Sequence, residues 1–294
     1  MTEYSLAVIG GSGLYALDGL EVTARHEVDT PWGAPSGPIV EGRLAGRRLL
    51  FLARHGAGHA IPPGHVPYRA NIDALKRLGA TDVLAVSSAG SFDEARAPGT
   101  FTIVDQYVDR TKGRAASFFG PGLVAHVSMA RPVCPGLSKR LGDAAEAAGV
   151  TTHRGGTYLA MEGPQFGTLA ESNLYRSWGL HVVGMTGMPE AKLAREAELP
   201  YACCAMITDY DCWHEPSGAV DVAGVIAVME RNGANAKAML RALVEALPEA
   251  RAPSPLGIET CLDTAIITAP DARDAGLAAK LDAVAGRALR SARS

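Results

Sequence analysis

The hydrophobic positions of the chain fall into short, almost uninterrupted apolar runs that are separated by glycine, proline and polar residues. Such runs are typical of strands covered on both faces of a sheet, whereas half-exposed strands alternate apolar and polar side chains. The predicted strands are 4–11, 47–56, 81–91, 100–109, 180–187 and 201–210.

Segments with the helical spacing of apolar residues lie between these strands. In one of them Ile72, Leu75 and Leu78 share a face, and Gly79 supplies the usual end of a helix. Pro189 stands at the start of another, where its missing N–H costs little. The predicted helices are 68–79, 134–150, 168–179, 188–199, a long one around 221–246 and a last one near 275–292.

The order of these elements predicts the fold class. Strands that alternate with helices indicate an α/β fold with a central mixed, largely parallel β-sheet flanked by helices. Neither a repeat nor a linker-like run precedes residue 247, so we expect a single domain over 1–294 with its core over about 4–246. The proline-rich stretch 248–260 predicts an extended connection within a C-terminal extension, 247–294.

Composition and charge exclude several classes of protein. The 294 residues are 47% hydrophobic, which is enough for a substantial core. Lys+Arg 28 against Asp+Glu 31 leaves no basic excess, so binding to nucleic acid is not expected. Neither a membrane span nor a secretory signal is apparent, so no membrane association is expected. Five irregularly spaced cysteines favour a reduced, cytoplasmic protein.

A glycine-rich turn, 10–13, ends the first predicted strand. Read from Gly11 to Ala16 it matches the dinucleotide pattern G-x-G-x-x-A, and Asp29 follows about 20 residues on. That pattern needs a helix directly after the glycines, and the next residues show no helical face, so an NAD-binding oxidoreductase is the weaker interpretation. The loop also offers backbone N–H groups and the Ser12 hydroxyl to an anion, although an ordinary tight turn is an alternative.

Arg54, His55, His59 and His65 lie together in a glycine- and proline-rich loop after a strand. A metal site is disfavoured because no cysteine or carboxylate lies within 54–69. An anion site fits better, since Arg54 supplies a permanent charge and a forked pair of donors.

Two carboxylates follow the last apolar strand. Asp209 and Asp211 are two residues apart, so in an extended chain they point to the same face. Burial and the nearby like charge should raise the pKa of such a carboxyl, which suits a general acid. A helix N-cap followed by a solvated turn is the alternative. Sugar hydrolysis by a carboxylate pair is disfavoured because only 6% of the residues are aromatic.

Several long segments, taken in order, resemble the methylthioadenosine phosphorylase family of trimeric purine nucleoside phosphorylases. The resemblance covers about residues 4–240. Its segments are VIGGSGLY (8–15), DTPWGAPS (29–36), FLARHGAGHAIPPGHVPYRANI (51–72), SSAGSF (87–92), VDQYVDRT (104–111), MEGPQFGTLAES (161–172), VVGMTGMPEAKLAREAELPYA (182–202) and TDYDCW (208–213).

The resemblance implies phosphorolysis of 5′-methylthioadenosine to adenine and 5-methylthioribose 1-phosphate, with inorganic phosphate as co-substrate and no cofactor or metal. A nucleosidase that uses water is the alternative enzyme class. The resemblance also implies a phosphate-binding set of Ser12, Arg54, His55, Ser87 and Thr186.

The resemblance further implies that Asp209 faces N7 and the 6-amino group of the purine, with Asp211 supporting it. A carboxyl can donate to N7 and accept from an amine, so adenine is favoured over a 6-oxopurine. His126 matches a residue that the neighbouring subunit supplies, which implies a homotrimer. The remaining substrate-binding residues implied are Ser88, Phe166, Gly167, Met185, Val222, Val225 and Ile226.

Two departures from the family pattern bear on the substrate. The family usually has GPRFS or GPRFE where this chain has Gln165 and Gly167, which removes a charge and a serine hydroxyl. SSAG at 87–90 replaces NAVG or TACG. The alternatives kept open are therefore 5′-deoxyadenosine, another 5′-modified adenosine, or a 6-oxopurine nucleoside.

Overall fold

The structure, a computed structural model, describes residues 3–11, 17–214 and 222–291. These form an eleven-stranded sheet with helices on both faces. The strands are β1 (Ser5–Gly10), β2 (Glu21–His26), β3 (Ile39–Leu44), β4 (Arg47–Ala53), β5 (Asp82–Ser91), β6 (Phe101–Val104), β7 (Gln106–Asp109), β8 (Thr152–Arg154), β9 (Thr157–Ala160), β10 (Val182–Gly184) and β11 (Tyr201–Asp209). The α-helices are α1 (Tyr68–Arg77), α2 (Pro135–Ala147), α3 (Leu169–Ser177), α4 (Gly187–Glu196), α5 (Val222–Glu245), α6 (Leu262–Ala265), α7 (Ala275–Lys280) and α8 (Gly286–Ser291).

The sheet is mixed and largely parallel, as predicted. Most pairings between the described strands are parallel, including those of β5 with both β1 and β11. The antiparallel pairings are β2–β3, β3–β4, β5–β10 and β6–β11. The predicted fold class is therefore confirmed.

The apolar runs of the sequence arise because the central strands are buried on both faces. In β1, Leu6 and Val8 pack on the side of α2 and α5, whereas Ala7 and Ile9 pack against the cluster that contains α1 and α4. Alternate side chains thus enter different cores, and neither face needs polar residues.

The strand β5 divides the sheet at the place where a cavity forms. Its first residues pair with β1 as far as Ala85, and its last two, Gly90 and Ser91, pair with β10 on the same side. Between these two partners no described strand pairs with the edge of β5 over 86–89, while β11 covers the opposite edge. The gap opens the sheet at the carboxyl ends of parallel strands, where α/β folds usually bind ligands.

The sequence patterns were wrong or incomplete at three places. The strands β2 and β3 were not predicted, and the side chains of β2 are mostly exposed. The predicted strand 100–109 is two strands, β6 and β7, which pair with different partners. The last predicted helix, 275–292, is interrupted by turns between α7 and α8.

Candidate active site

The gap beside β5 belongs to a cavity of about 830 Å³. It lies at the carboxyl ends of β1, β4, β5 and β11, and one side is formed by α5. The described residues with polar groups that line it include Arg54, His55, His59, Ser87, Ser88, Thr186, Thr208, Asp209, Asp211, Glu230 and Lys237.

Arg54 follows β4 directly and is 2% exposed. Its guanidinium donates to both carboxylate oxygens of Glu190, at 2.8 and 3.0 Å, and to the carbonyls of Val86 and Ile9, both at 3.3 Å. Burial opposes the charge of Arg54, but the Glu190 carboxylate overcomes this effect and raises the pKa of the guanidinium. After these contacts with the described residues one Nη1 hydrogen remains for the cavity that Arg54 lines.

His55 is held by the backbone of its own loop. Its Nδ1 lies 2.8 Å from the carbonyl oxygen of Ile61, and a carbonyl can only accept, so Nδ1 carries the hydrogen. The ring stacks on His59 with centroids 4.1 Å apart. Burial lowers the pKa of His55 to about 4, with smaller contributions from Arg54 and His59, although the bond to Ile61 opposes them. At neutral pH the imidazole is therefore uncharged.

Two hydroxyls lie near each other in the cavity. Ser87 lies on the unpaired stretch of β5, and Thr186 directly precedes α4; their hydroxyl oxygens are 3.3 Å apart. The Thr186 side chain does not cap the helix, and its hydroxyl contacts that of Ser87. Ser12, the remaining residue of the implied phosphate set, lies outside the described residues.

Asp209 ends β11 and is positioned by a bulge. The pairing with β5 skips Thr208, so that Asp209 lies opposite Gly90. The Thr208 hydroxyl donates to Asp209 Oδ2 at 2.7 Å, and the backbone N–H of Asp211 donates to Oδ1 at 2.8 Å. Both carboxylate oxygens are thus fixed in direction.

Asp211 is reached by a turn and not by continued strand. It begins a short 3-10 helix with a φ of 54°, so the prediction that an extended chain places both carboxylates on one face is wrong. Both nevertheless line the cavity. Burial raises the pKa of Asp211, which is 7% exposed, and the charge of Asp209 adds to this. A raised pKa at the strand end was expected, and the structure places it on Asp211.

The backbone of Met185 is fixed by a residue that the sequence analysis missed. The buried guanidinium of Arg114 donates to the Met185 carbonyl at 2.6 Å and to the Met188 carbonyl at 2.9 Å. It also forms an ion pair with Glu162 at 3.0 Å. A single arginine in a loop gives no sequence signal of this role, because its partners are backbone carbonyls distant in the chain.

The residues implied for the purine and ribose are only partly brought together. Ser88, Met185 and Phe166 line the cavity, and Phe166 is 53% exposed at its rim. Gly167 is not among the lining residues; its carbonyl accepts a contact from the Cys212 thiol at 3.5 Å.

The α5 helix lines the cavity further along than expected. The side chains of Val222 and Val225 lie outside the described part of the structure, and Ile226 is 52% exposed and does not line the cavity. The lining residues of this helix are Met229, Glu230, Gly233, Ala234 and Lys237.

His126 is exposed and does not line the cavity of its own chain. Its loop is joined to the C-terminal extension: the N–H of His126 donates to the Ala265 carbonyl at 2.9 Å, and Ala125 forms an isolated bridge with Ile266. The exposed side chain of Ile267 follows this bridge.

The structure contradicts the dinucleotide interpretation of the glycine loop. Residues 17–20 form a turn and β2 begins at Glu21, so the described residues that follow the glycines include no helix, which the dinucleotide pattern requires there. Within 3–11, 17–214 and 222–291 no group of three or more His, Cys, Asp or Glu residues could hold a metal ion. No helix in these ranges is long and apolar enough to cross a membrane.

Comparison with known proteins agrees with this geometry. The model of the phosphorylase superfamily matches residues 5–245. The S-methyl-5′-thioadenosine phosphorylase of Cereibacter sphaeroides is 58% identical over 97% of this chain and 98% of its own. A methylthioadenosine phosphorylase from an Antarctic soil metagenomic library has a TM-score of 0.91 and 42% identity, covering 97% of this chain and 99% of that one. A mutant adenosine/methylthioadenosine phosphorylase from Schistosoma mansoni, in complex with methylthioadenosine, has a TM-score of 0.78 and 35% identity, covering 82% and 91%.

The fold, the cavity and the superfamily match define a nucleoside phosphorylase of the phosphorylase superfamily. Within that class, the identity over nearly the whole length shows that the chain belongs to the S-methyl-5′-thioadenosine phosphorylase family. The family resemblance seen in the sequence is thereby confirmed.

Proposed function

We propose that this chain catalyses the phosphorolysis of 5′-methylthioadenosine to adenine and 5-methylthioribose 1-phosphate. The observation that carries the proposal is that one cavity is lined both by groups suited to an anion, Arg54, Ser87 and Thr186, and by the carboxylate pair Asp209 and Asp211. Phosphorolysis requires these two kinds of site side by side, because phosphate attacks one side of the sugar as the base leaves from the other.

The phosphate binds against the unpaired edge of β5. The remaining Nη1 hydrogen of Arg54 and the hydroxyls of Ser87 and Thr186 donate to its oxygens. The family resemblance adds the hydroxyl of Ser12, which lies outside the described residues. Inorganic phosphate is the co-substrate, and no further cofactor is needed.

The purine leaves from the carboxylate side. A phosphate oxygen forms a bond to C1′ while the C1′–N9 bond breaks. The electron pair of the C1′–N9 bond remains on the purine. The Asp209 carboxyl supplies the proton that N7 gains, and Asp211 fixes its direction through the 2.8 Å backbone hydrogen bond. Met185 lies under the ribose, and Phe166 and Ser88 lie beside the base and sugar.

The 5′ substituent extends toward α5. Val222, Val225 and Ile226 lie in the first turns of α5, and the family resemblance places the 5′ group beside them. Apolar pockets separate ligands by only about 1–3 kcal/mol per methylene-sized group, so 5′-deoxyadenosine is also accepted to some degree. Gly167, which contributes no side chain, and Gln165 leave the base end less restricted.

The active enzyme is a homotrimer in which His126 enters the cavity of the neighbouring subunit. Its exposure, and its distance from the cavity of its own chain, support this arrangement. The C-terminal extension holds this loop in position through the bridge between Ala125 and Ile266. The enzyme works in the reducing cytoplasm, in agreement with five free cysteines.

The deciding experiment is adenine release from 5′-methylthioadenosine with and without phosphate. Release that depends strictly on phosphate, with equimolar 5-methylthioribose 1-phosphate, is the expected result. Equal release in phosphate-free buffer would identify a hydrolase instead. Turnover of 5′-deoxyadenosine or a 6-oxopurine nucleoside in preference to 5′-methylthioadenosine would contradict the assigned substrate while leaving the reaction class intact.

A further inference from the structure

The anion-binding part of the cavity, formed by Arg54, His55, Ser87 and Thr186 and called the cradle below, contains a hydrogen-bond acceptor. Because Nδ1 of His55 donates to the Ile61 carbonyl, the second ring nitrogen, Nε2, bears a lone pair whenever the ring is neutral. Burial and the charge of Arg54 both keep the ring neutral, and His59 covers one of its faces. His55 can therefore offer a ligand an acceptor, and not a donor, from this nitrogen.

The cradle also lacks excess positive charge. The guanidinium of Arg54 is matched by the Glu190 carboxylate, which accepts two of its hydrogen bonds and a third from the Tyr201 hydroxyl at 2.9 Å. Of the other charged groups that line the cavity within the described residues, Asp209, Asp211 and Glu230 are acidic and Lys237 is basic. Recognition of an anion therefore depends on hydrogen bonds more than on net charge.

We propose that Nε2 of His55 accepts a hydrogen bond from an O–H group of the anion, so that the cavity selects tetrahedral oxyanions that carry a hydrogen. This inference rests on the proposed function, whose phosphate site it describes more closely. At neutral pH hydrogen phosphate and hydrogen arsenate carry such a hydrogen, whereas sulfate and selenate have the same shape but none. When sulfate or selenate binds, the Nε2 lone pair of His55 faces an anionic oxygen. Nε2 is then left without a hydrogen-bond donor, which weakens binding.

The test is a panel of four anions in two pairs of matched shape, phosphate with sulfate and arsenate with selenate. Binding of all four anions is measured by the shift of the thermal unfolding midpoint with concentration. Binding of sulfate and selenate is measured independently by their competition with phosphate in the phosphorolysis assay. We expect sulfate and selenate to bind roughly 100-fold more weakly than their partners. Equal binding within either pair would overturn the proposal.

The matched variants are His55→Gln and His65→Gln. A glutamine amide can donate, so His55→Gln should reduce the preference for phosphate over sulfate by roughly tenfold. His65 lies in the same loop, is exposed and does not line the cavity, so His65→Gln should leave the preference unchanged. An unchanged preference in His55→Gln would overturn the role of His55.

Two outcomes separate this inference from the proposed function. If adenine release is independent of phosphate, the proposed function fails, but the anion panel still tests the selectivity of the cradle by unfolding alone. If release requires phosphate and sulfate competes as strongly as phosphate binds, only the role of His55 fails. Should His55→Gln not fold, the wild-type panel still decides, because equal binding of sulfate and phosphate contradicts the proposal.

Discussion

Gly90 and Asp209 approach each other so closely that a side chain at position 90 has no room. A Cβ built on Gly90 would lie 2.9 Å from Asp209 Oδ1 and 3.1 Å from Val183 Cγ1. The bulge in β11 is what brings the carboxylate across from this glycine. The direction of the Asp209 carboxylate therefore depends on the absence of a side chain on the neighbouring strand.

Replacement of Gly90 by alanine should displace the Asp209 carboxylate and lower kcat about 10- to 100-fold, because small misplacements of a catalytic group are costly. Steady-state kinetics with 5′-methylthioadenosine measures the effect. Gly37→Ala is the control, since a Cβ there meets nothing within 4 Å. Wild-type kcat in Gly90→Ala would show that Asp209 does not need this close approach.

Replacement of the Asp209 carboxyl group should be more severe. Asp209→Asn keeps the size of the side chain but cannot supply a proton to N7, so kcat should fall about 10²- to 10⁴-fold. The amide should also improve the relative rate with 5′-methylthioinosine, because it can donate to a 6-oxo group. Asp263→Asn, which neutralises an exposed carboxylate on α6, should change neither value. Near-wild-type turnover of Asp209→Asn would remove Asp209 from the mechanism.

The fold class was predictable because its signal is local. The central strands β1, β5 and β11 are buried on both faces, and this requirement leaves uninterrupted apolar runs in the sequence. The exposed strand β2 has no such requirement, so its polar sequence concealed it. Similarly, the break between β6 and β7 is set by Asp105, whose carboxylate accepts from the N–H of Gly156; this distant partner leaves no trace in the local pattern.

The candidate site was predictable where its groups follow strands directly. Arg54 and Asp209 stand at strand ends, and the structure brings them to one cavity. Their supporting residues were not predictable: Glu190 lies within a helix whose sequence resembles an ordinary charged surface, and its burial is decided by packing against Tyr201 and Arg54. Neither the Thr208 bulge nor the turn to Asp211 has a recognisable motif, so an extended chain was the wrong expectation.

Breaking the ion pair of Arg54 and Glu190 should cost stability. Glu190→Gln leaves a buried guanidinium without its counter-charge, and such losses usually cost about 3–5 kcal/mol. Chemical denaturation should show a correspondingly lower free energy of unfolding. Glu146→Gln breaks a pair with Arg154 on the surface and should scarcely move the unfolding midpoint. If the two variants were equally stable, the buried ion pair would contribute no more to the free energy of unfolding than the surface pair does.

The neutrality of His55 predicts an acid-dependent loss of stability. Burial above all lowers the pKa of His55 to about 4 in the folded protein, against about 6.5 for an ordinary histidine. The stability that the neutral His55 ring lends to the folded state is fully present above about pH 6.5. It is lost as the pH falls toward 4, because the histidine of the unfolded chain takes up a proton at a higher pH than that of the folded protein. His55→Gln should therefore lose less stability than wild type between about pH 7 and 5. Thermal unfolding at both pH values measures this, and His65→Gln should follow wild type.

The proposed sharing of active sites between subunits predicts that two inactive variants complement each other in a mixed trimer. His126→Ala should lower kcat/KM for 5′-methylthioadenosine by about tenfold, since the proposed contact in the neighbouring cavity is lost. In a trimer reassembled from equal amounts of His126→Ala and Asp209→Asn chains, roughly a quarter of the sites combine an intact Asp209 with an intact partner histidine. Activity after joint unfolding and refolding should then exceed the sum of the separately refolded variants. Activity equal to that sum would show that His126 does not act in the cavity of the neighbouring subunit.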